Sequence, residues 1–240
     1  MIFDRKARLG RLLNSTEVFV FDFDDTLVDE RFSVMERWNV VLKKYQTILN
    51  CSDLVACFFD IFNREGDGYK GHVDDVLDYL KLDMAYKKEI IQDFLSQRSS
   101  RELVFPRVID LLTLLTTNNI KIAMFTNGLR YVQEHRVEVS GLKSYFSHIQ
   151  YGDCAGKKPN SSGFLHLSEC LNLTEMGKLT IIGNSFIDDC QGASAVGANC
   201  ILVNTDVNHS LSVPVYDGID ELYFDFAETI NEENLCVKEY

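Results

Sequence analysis

Val18-Phe19-Val20-Phe21-Asp22-Phe23-Asp24-Asp25-Thr26 is an apolar run that breaks into three acids within four positions. Four consecutive β-branched and aromatic residues without a helical period predict a strand covered on both faces, since a strand with one wet face would alternate. A single aspartate after a strand is an ordinary helix N-cap. Three together repel one another unless a cation or a framework of donors compensates. The stretch therefore predicts a buried strand delivering carboxylates to a site.

Working outward, runs of the same kind occur at 120–125, 179–182 and 201–203. Helix-length segments lie between and beside them, over 107–118, 131–139, 161–171 and 187–196. Strand alternating with helix predicts right-handed crossovers and an α/β fold built on a doubly wound parallel sheet. In such sheets ligands bind beyond the carboxyl ends of the strands. Here Phe125 runs into Thr126-Asn127-Gly128, and Ile182 runs into Gly183-Asn184-Ser185 with Asp188 and Asp189 following. Lys158, in the loop over 152–160, is the candidate cation for that edge.

One interval breaks the alternation. Across residues 30–104 the patterning is helical, with Phe32, Met35, Val41, Leu42, Tyr45 and Leu49 close to the three- and four-residue spacing of one apolar face. Further helices are expected over 53–63, 72–82 and 85–97, with Gly66, Gly68 and Gly71 marking a loop. The expected organisation is a core of residues 1–29 and 105–240 with a helical insert over 30–104, Phe105-Pro106 marking the return. The polar segment 231–240 is expected to fray.

The 240 residues, 46% hydrophobic, suffice for one α/β domain with an insert. Lys and Arg number 24 against 36 Asp and Glu, a net charge of −12. That balance repels the backbone of a nucleic-acid polymer and the anionic face of a membrane, so neither is an expected partner. The first residues lack the apolar stretch of a secretory signal, and no run reaches the roughly 20 apolar residues of a membrane span. A cytoplasmic protein is expected. Seven cysteines, an odd number without a CxxC pair or a zinc-type spacing, predict reduced and mostly structural thiols.

Taken in order, the motifs resemble those of the haloacid dehalogenase superfamily, in its phosphatase branch with a helical cap inserted after the first motif. Its DxDxT is Asp22-Phe23-Asp24-Asp25-Thr26; its strand-ending Thr or Ser is Thr126; its Lys, usually followed by Pro, is Lys158-Pro159; and its GDxxxxD is Gly183-Asn184-Ser185-Phe186-Ile187-Asp188-Asp189. The resemblance implies a Rossmann-like core. It further implies that Asp22 attacks phosphorus and forms an aspartyl-phosphate, and that Asp24 protonates the leaving alcohol and then activates water. Thr126, Asn127 and neighbouring backbone amides would hold the phosphoryl oxygens, with Lys158 offsetting charge. Mg2+ would be held by Asp22, Asp24, Asn184 and Asp189. Asn184 departs from the family's Asp, so weaker magnesium binding is expected. Asp188 is an alternative ligand or a plain helix N-terminal acid.

The implied substrate is a small phosphorylated metabolite, for a monomer or homodimer. Phe125 to Gln133 and Ser140-Gly141-Leu142 are similar to members acting on nucleoside monophosphates or acylated sugar phosphates, which favours a nucleotide or sugar phosphate. Within the insert, Arg31, Arg37, Trp38, Tyr45, Arg64, Tyr69 and Lys70 are candidate contacts, each more readily explained as core or solvated surface. Two other readings stand beside this one: a 2-haloacid dehalogenase, which lacks the acid at Asp24, and a weakly active or non-catalytic binder of a phosphorylated metabolite.

Overall fold

The unbroken apolar run Val18–Phe21 forms strand β1, buried along its whole length. The computed structural model describes residues 2–45, 47, 56, 60, 72–79, 84–205 and 213–236. In it β1 is central to a six-stranded parallel sheet together with β2 (Lys121–Thr126), β3 (Ile149–Tyr151), β4 (Leu179–Gly183), β5 (Asn199–Val203) and β6 (Val215–Tyr216). The order is β3-β2-β1-β4-β5-β6. The chain thus winds to one side of β1 and then to the other, and the order reverses between β1 and β4. That is the position where open α/β sheets bind ligands.

The pleat of β1 sends alternate side chains to opposite faces. Phe19 and Phe21 join a cluster with Leu111, Leu112 and Leu115 of the helix Val108–Thr117 and with Phe226 of the helix Ile219–Cys236. Val18 and Val20 join a second cluster with Phe164 and Leu167 of the helix Ser161–Cys170. Each fully buried Phe contributes about 1.5–3 kcal/mol, so covering both faces is what makes an all-apolar strand stable here. The N-terminal helix Ile2–Ser15, which carries no motif, buries Leu9 in the first cluster and sets Arg5 against Glu221 at 2.7 Å and Asp225 at 3.2 Å.

Cα proximity divides the chain into two units, Met1–Asp29 with Val104–Tyr240, and Glu30–Leu103. The described part of the second unit is helical, over Glu30–Lys44, His72–Tyr79 and Met84–Ser96. Its Trp38 is fully buried and packs on Phe94 at 4.6 Å between ring centroids, and Tyr45 is also buried. Both are core residues of that unit. The expected helix over 53–63 lies outside the described residues apart from positions 56 and 60, as do Arg64, Tyr69 and Lys70.

Several local expectations are revised. The strands β3 and β6 have three and two residues, too short for their apolar runs to stand out. The helix expected over 187–196 is a π-helical turn, Phe186–Gln191, followed by one α-turn, Gly192–Ala195. The C-terminal helix runs through the segment expected to fray as far as Cys236. The expectation of reduced thiols is corrected at one pair: Cys190 and Cys200 form a disulfide, their Cα atoms 5.3 Å apart. Cys190 follows β4 and Cys200 lies on the neighbouring β5, a proximity that only strand order reveals. Cys154 and Cys170 are free and exposed, and the side chains of Cys51, Cys57 and Cys236 lie outside the described residues.

Candidate active site

The candidate residues come from loops leaving the carboxyl ends of β1, β2 and β4 and from the loop that carries Lys158. Phe21 is in register with Ile182 and with Met124, so Asp22 follows opposite Gly183 and Phe125, with Asn184 and Thr126 one residue further along their chains. The amide of Asp22 donates to Ile182 O at 2.8 Å, which fixes its backbone to β4. Beyond it the chain curls sharply. Leu27 N donates to Phe23 O at 2.9 Å, Asp25 N donates to Val28 O at 2.8 Å, and Asp25 takes a left-handed backbone with φ 53°. Aspartate is one of the few side chains that tolerates this region, which explains the third acid of the run.

Lys158 occupies the centre. It is buried, and its ammonium donates to Asp22 Oδ1 and to Asp189 Oδ1, each at 2.6 Å. Burial alone would lower its pKa, but the two carboxylates outweigh burial and hold the ammonium protonated. Asp22 is pushed up to about 7, first by burial and then by repulsion from Asp189 and Asp24, with Lys158 opposing. Among the described residues its Oδ2 accepts only a long bond from the Thr26 hydroxyl, at 3.4 Å, so that oxygen remains available to a ligand.

Asp189 is fully buried with a donor on each oxygen: Oδ1 accepts from Lys158, and Oδ2 accepts from Ser185 N at 3.0 Å. A Cβ on Gly183 would lie 2.1 Å from Oδ2, so the family's glycine here is the space into which Asp189 fits. Asn127 behaves similarly. Its side chain accepts from Lys158 N at 2.7 Å and donates to Lys158 O at 3.0 Å and Asp188 Oδ2 at 3.2 Å, clamping the lysine loop. Asp188 N in turn donates to Ser185 Oγ at 3.1 Å. The Asn184 side chain makes no hydrogen bond among the described residues.

The residues that sequence reasoning assigned no role lie on the helix Arg130–Val139. Gln133 Nε2 donates to Asp24 Oδ2 at 2.7 Å and to Thr126 Oγ1 at 2.8 Å. Arg136 donates to Asp24 Oδ1 at 2.5 Å and to Gln133 Oε1 at 3.0 Å, with its guanidinium 5.2 Å from the Phe23 ring centroid. Both are buried beside Val137. The available signal was polar side chains one turn apart on the inward face of an amphipathic helix.

A cation is supported by charge and by donor type. Four aspartates, Asp22, Asp24, Asp188 and Asp189, meet two basic side chains, Lys158 and Arg136. Asp22 Oδ2 and the Asn184 amide oxygen follow the ends of adjacent strands and are hard donors of the type that a divalent ion such as magnesium takes.

The family model described as haloacid dehalogenase-like hydrolase matches residues 19–203. Among curated relatives, N-acylneuraminate-9-phosphatase of Rattus norvegicus is 23% identical over 219 residues, covering 85% of this chain and 87% of its own. Phosphoglycolate phosphatase of Psychrobacter arcticus is 25% identical, covering 75% and 80%. Among solved structures, the HAD-hydrolase YfnB of Bacillus subtilis, determined bound to magnesium, superposes with a TM-score of 0.67 at 21% identity, covering 88% of this chain and 98% of its own. With more than half of its length matched by one family model, the chain belongs to the haloacid dehalogenase-like hydrolases.

Proposed function

We propose that this hydrolase is a magnesium-dependent phosphatase acting on a small phosphomonoester, a sugar phosphate or nucleotide, through an aspartyl-phosphate on Asp22. The observation that carries the reading is the triad at the sheet's reversal point. Lys158 bridges Asp22 Oδ1 and Asp189 Oδ1 at 2.6 Å each, which fixes the Asp22 carboxylate beside a buried cation. The relatives named N-acylneuraminate-9-phosphatase and phosphoglycolate phosphatase support a small phosphomonoester, and the first of them a sugar phosphate.

In the first step a carboxylate oxygen of Asp22 forms a bond to phosphorus as the bond to the leaving oxygen breaks, and Asp24 gives that oxygen its proton. In the second, Asp24 takes a proton from water as the water oxygen attacks phosphorus, and the Asp22–phosphorus linkage breaks to release phosphate. Thr126, the backbone amide of Asn127 and the Lys158 ammonium bind the phosphoryl oxygens. Asp22, the Asp24 carbonyl and Asn184 would hold magnesium, whose charge when bound lowers the repulsion between anionic carboxylate and anionic phosphate. Asp189 would keep Lys158 in place, since its oxygens accept from the Lys158 ammonium and from Ser185 N.

The test is a screen of metabolite phosphates for phosphate release, with and without magnesium, against wild type and Asp22→Asn. Turnover that needs magnesium and disappears in Asp22→Asn is expected. Metal-independent turnover of 2-haloacids would overturn the reading in favour of dehalogenation, and ligand binding without turnover would overturn it in favour of a binding protein.

A further inference from the structure

We propose that Gln133 and Arg136 are positioning residues: together they aim the Asp24 carboxyl group and fix the direction in which the Thr126 hydroxyl donates. This inference rests on the phosphohydrolase reading and deepens it.

The hydrogen-bond directions follow from one another. Arg136 has only donors, so the Gln133 atom facing it at 3.0 Å is the amide oxygen. The Gln133 nitrogen is then the atom between Asp24 Oδ2 and Thr126 Oγ1, donating to both, at 2.7 and 2.8 Å. Because the Thr126 oxygen accepts from Gln133, its own proton points elsewhere. It is thereby kept for a phosphoryl oxygen rather than spent on Asp24. A threonine beside an aspartate would otherwise bond to it directly, removing a donor from the phosphate site and tying down the acid.

Arg136 completes the arrangement on the other oxygen of Asp24, at 2.5 Å, and is itself held by the Phe23 ring. The Asp24 side chain is 24% exposed, whereas that of Arg136 is 7% exposed. The carboxyl group therefore sits at the solvent margin of a buried support, as a group that exchanges protons with a substrate requires. The glycine of Thr126-Asn127-Gly128 has its reason here too. A Cβ on Gly128 would lie 2.3 Å from Gln133 Cγ, so a larger residue would push Gln133 off both partners.

A positioning role predicts a dependence on the leaving group that a purely structural role does not. An alkoxide needs a proton as it departs, whereas p-nitrophenolate does not. The ratio kcat/KM reports steps up to release of the alcohol, so it isolates the half-reaction in which Asp24 acts as acid. With magnesium present, Arg136→Met should lower kcat/KM for β-glycerophosphate by about 100-fold but for p-nitrophenyl phosphate by less than about 5-fold, the span of one misplaced general acid. Arg136→Lys should recover part of the loss on β-glycerophosphate.

Gln133→Met, which removes no charge, carries the test should Arg136→Met not fold, as judged by its thermal melt. It should lower both rates through Thr126, with an additional loss of about 10-fold on β-glycerophosphate. Equal losses on the two esters, or no loss on either, overturn this proposal alone. A wild-type protein that hydrolyses neither these esters nor any metabolite phosphate of the screen overturns the phosphohydrolase reading and the proposal with it.

Discussion

Replacing Asp189 with Asn separates two roles for this residue, ligand of a metal and anchor of Lys158. The side chain is fully buried, with Oδ1 on the Lys158 ammonium at 2.6 Å and Oδ2 on Ser185 N at 3.0 Å. Asparagine has the same shape but only one acceptor end. If its oxygen faces Lys158, its NH2 group faces the Ser185 amide; if it is turned over, the NH2 group faces an ammonium. The side chain lies over Gly183, where a Cβ would sit 2.1 Å from Oδ2.

The cost can be worked through term by term. Loss of a charge-assisted bond costs about 1.5–3 kcal/mol, and a buried donor facing a donor costs about 1–3 kcal/mol more. Relief of repulsion on Asp22, whose pKa Asp189 helps to raise, returns part of this. A net loss of about 3 kcal/mol lowers the melting temperature by roughly 6–12 °C for a domain of this size. The assay is urea unfolding in the absence of magnesium, followed by magnesium titration of phosphatase activity. The anchor reading expects the destabilisation without metal and little change in the magnesium needed for half activity. A metal-free stability within about 0.5 kcal/mol of wild type, with a raised magnesium requirement, would refute it.

Asn184→Asp adds a formal charge where the family has one, and should lower the magnesium concentration for half activity by about tenfold while lowering metal-free stability through repulsion with Asp22. An unchanged or higher requirement would show that Asn184 is not a ligand. The Cys190–Cys200 disulfide closes a loop with a sequence separation of 10, and its reduction should cost about 2–3 kcal/mol in urea unfolding. Thiol titration of the denatured, unreduced protein should find at least two fewer groups than the seven cysteines of the chain; finding all seven would count against the pair.

What the chain made legible was governed by range along the sequence. The strand at Val18–Phe21 and its acids were readable because burial on both faces and charge density are local properties. The loops after Phe125 and Ile182 were readable because strand ends carry positional meaning in a parallel sheet. The strands Ile149–Tyr151 and Val215–Tyr216 exist because neighbouring strands offer them a ladder, and nothing within three or two residues announces that. The Cys190–Cys200 pair was hidden for the same reason.

Gln133 and Arg136 were the harder case. Each looks like an ordinary polar residue on a surface helix, and what turns them inward is the carboxylate at Asp24, more than 100 positions earlier in the chain. A buried Arg without a partner would be prohibitively costly, and so would a buried acid without a donor. The two polar positions on an inward helical face and the surplus of acids after β1 are therefore halves of one requirement. Counted together, the acids without a local counterion predict that some other element must bring cations to them. Lys158 meets that requirement for Asp22 and Asp189, and Arg136 meets it for Asp24.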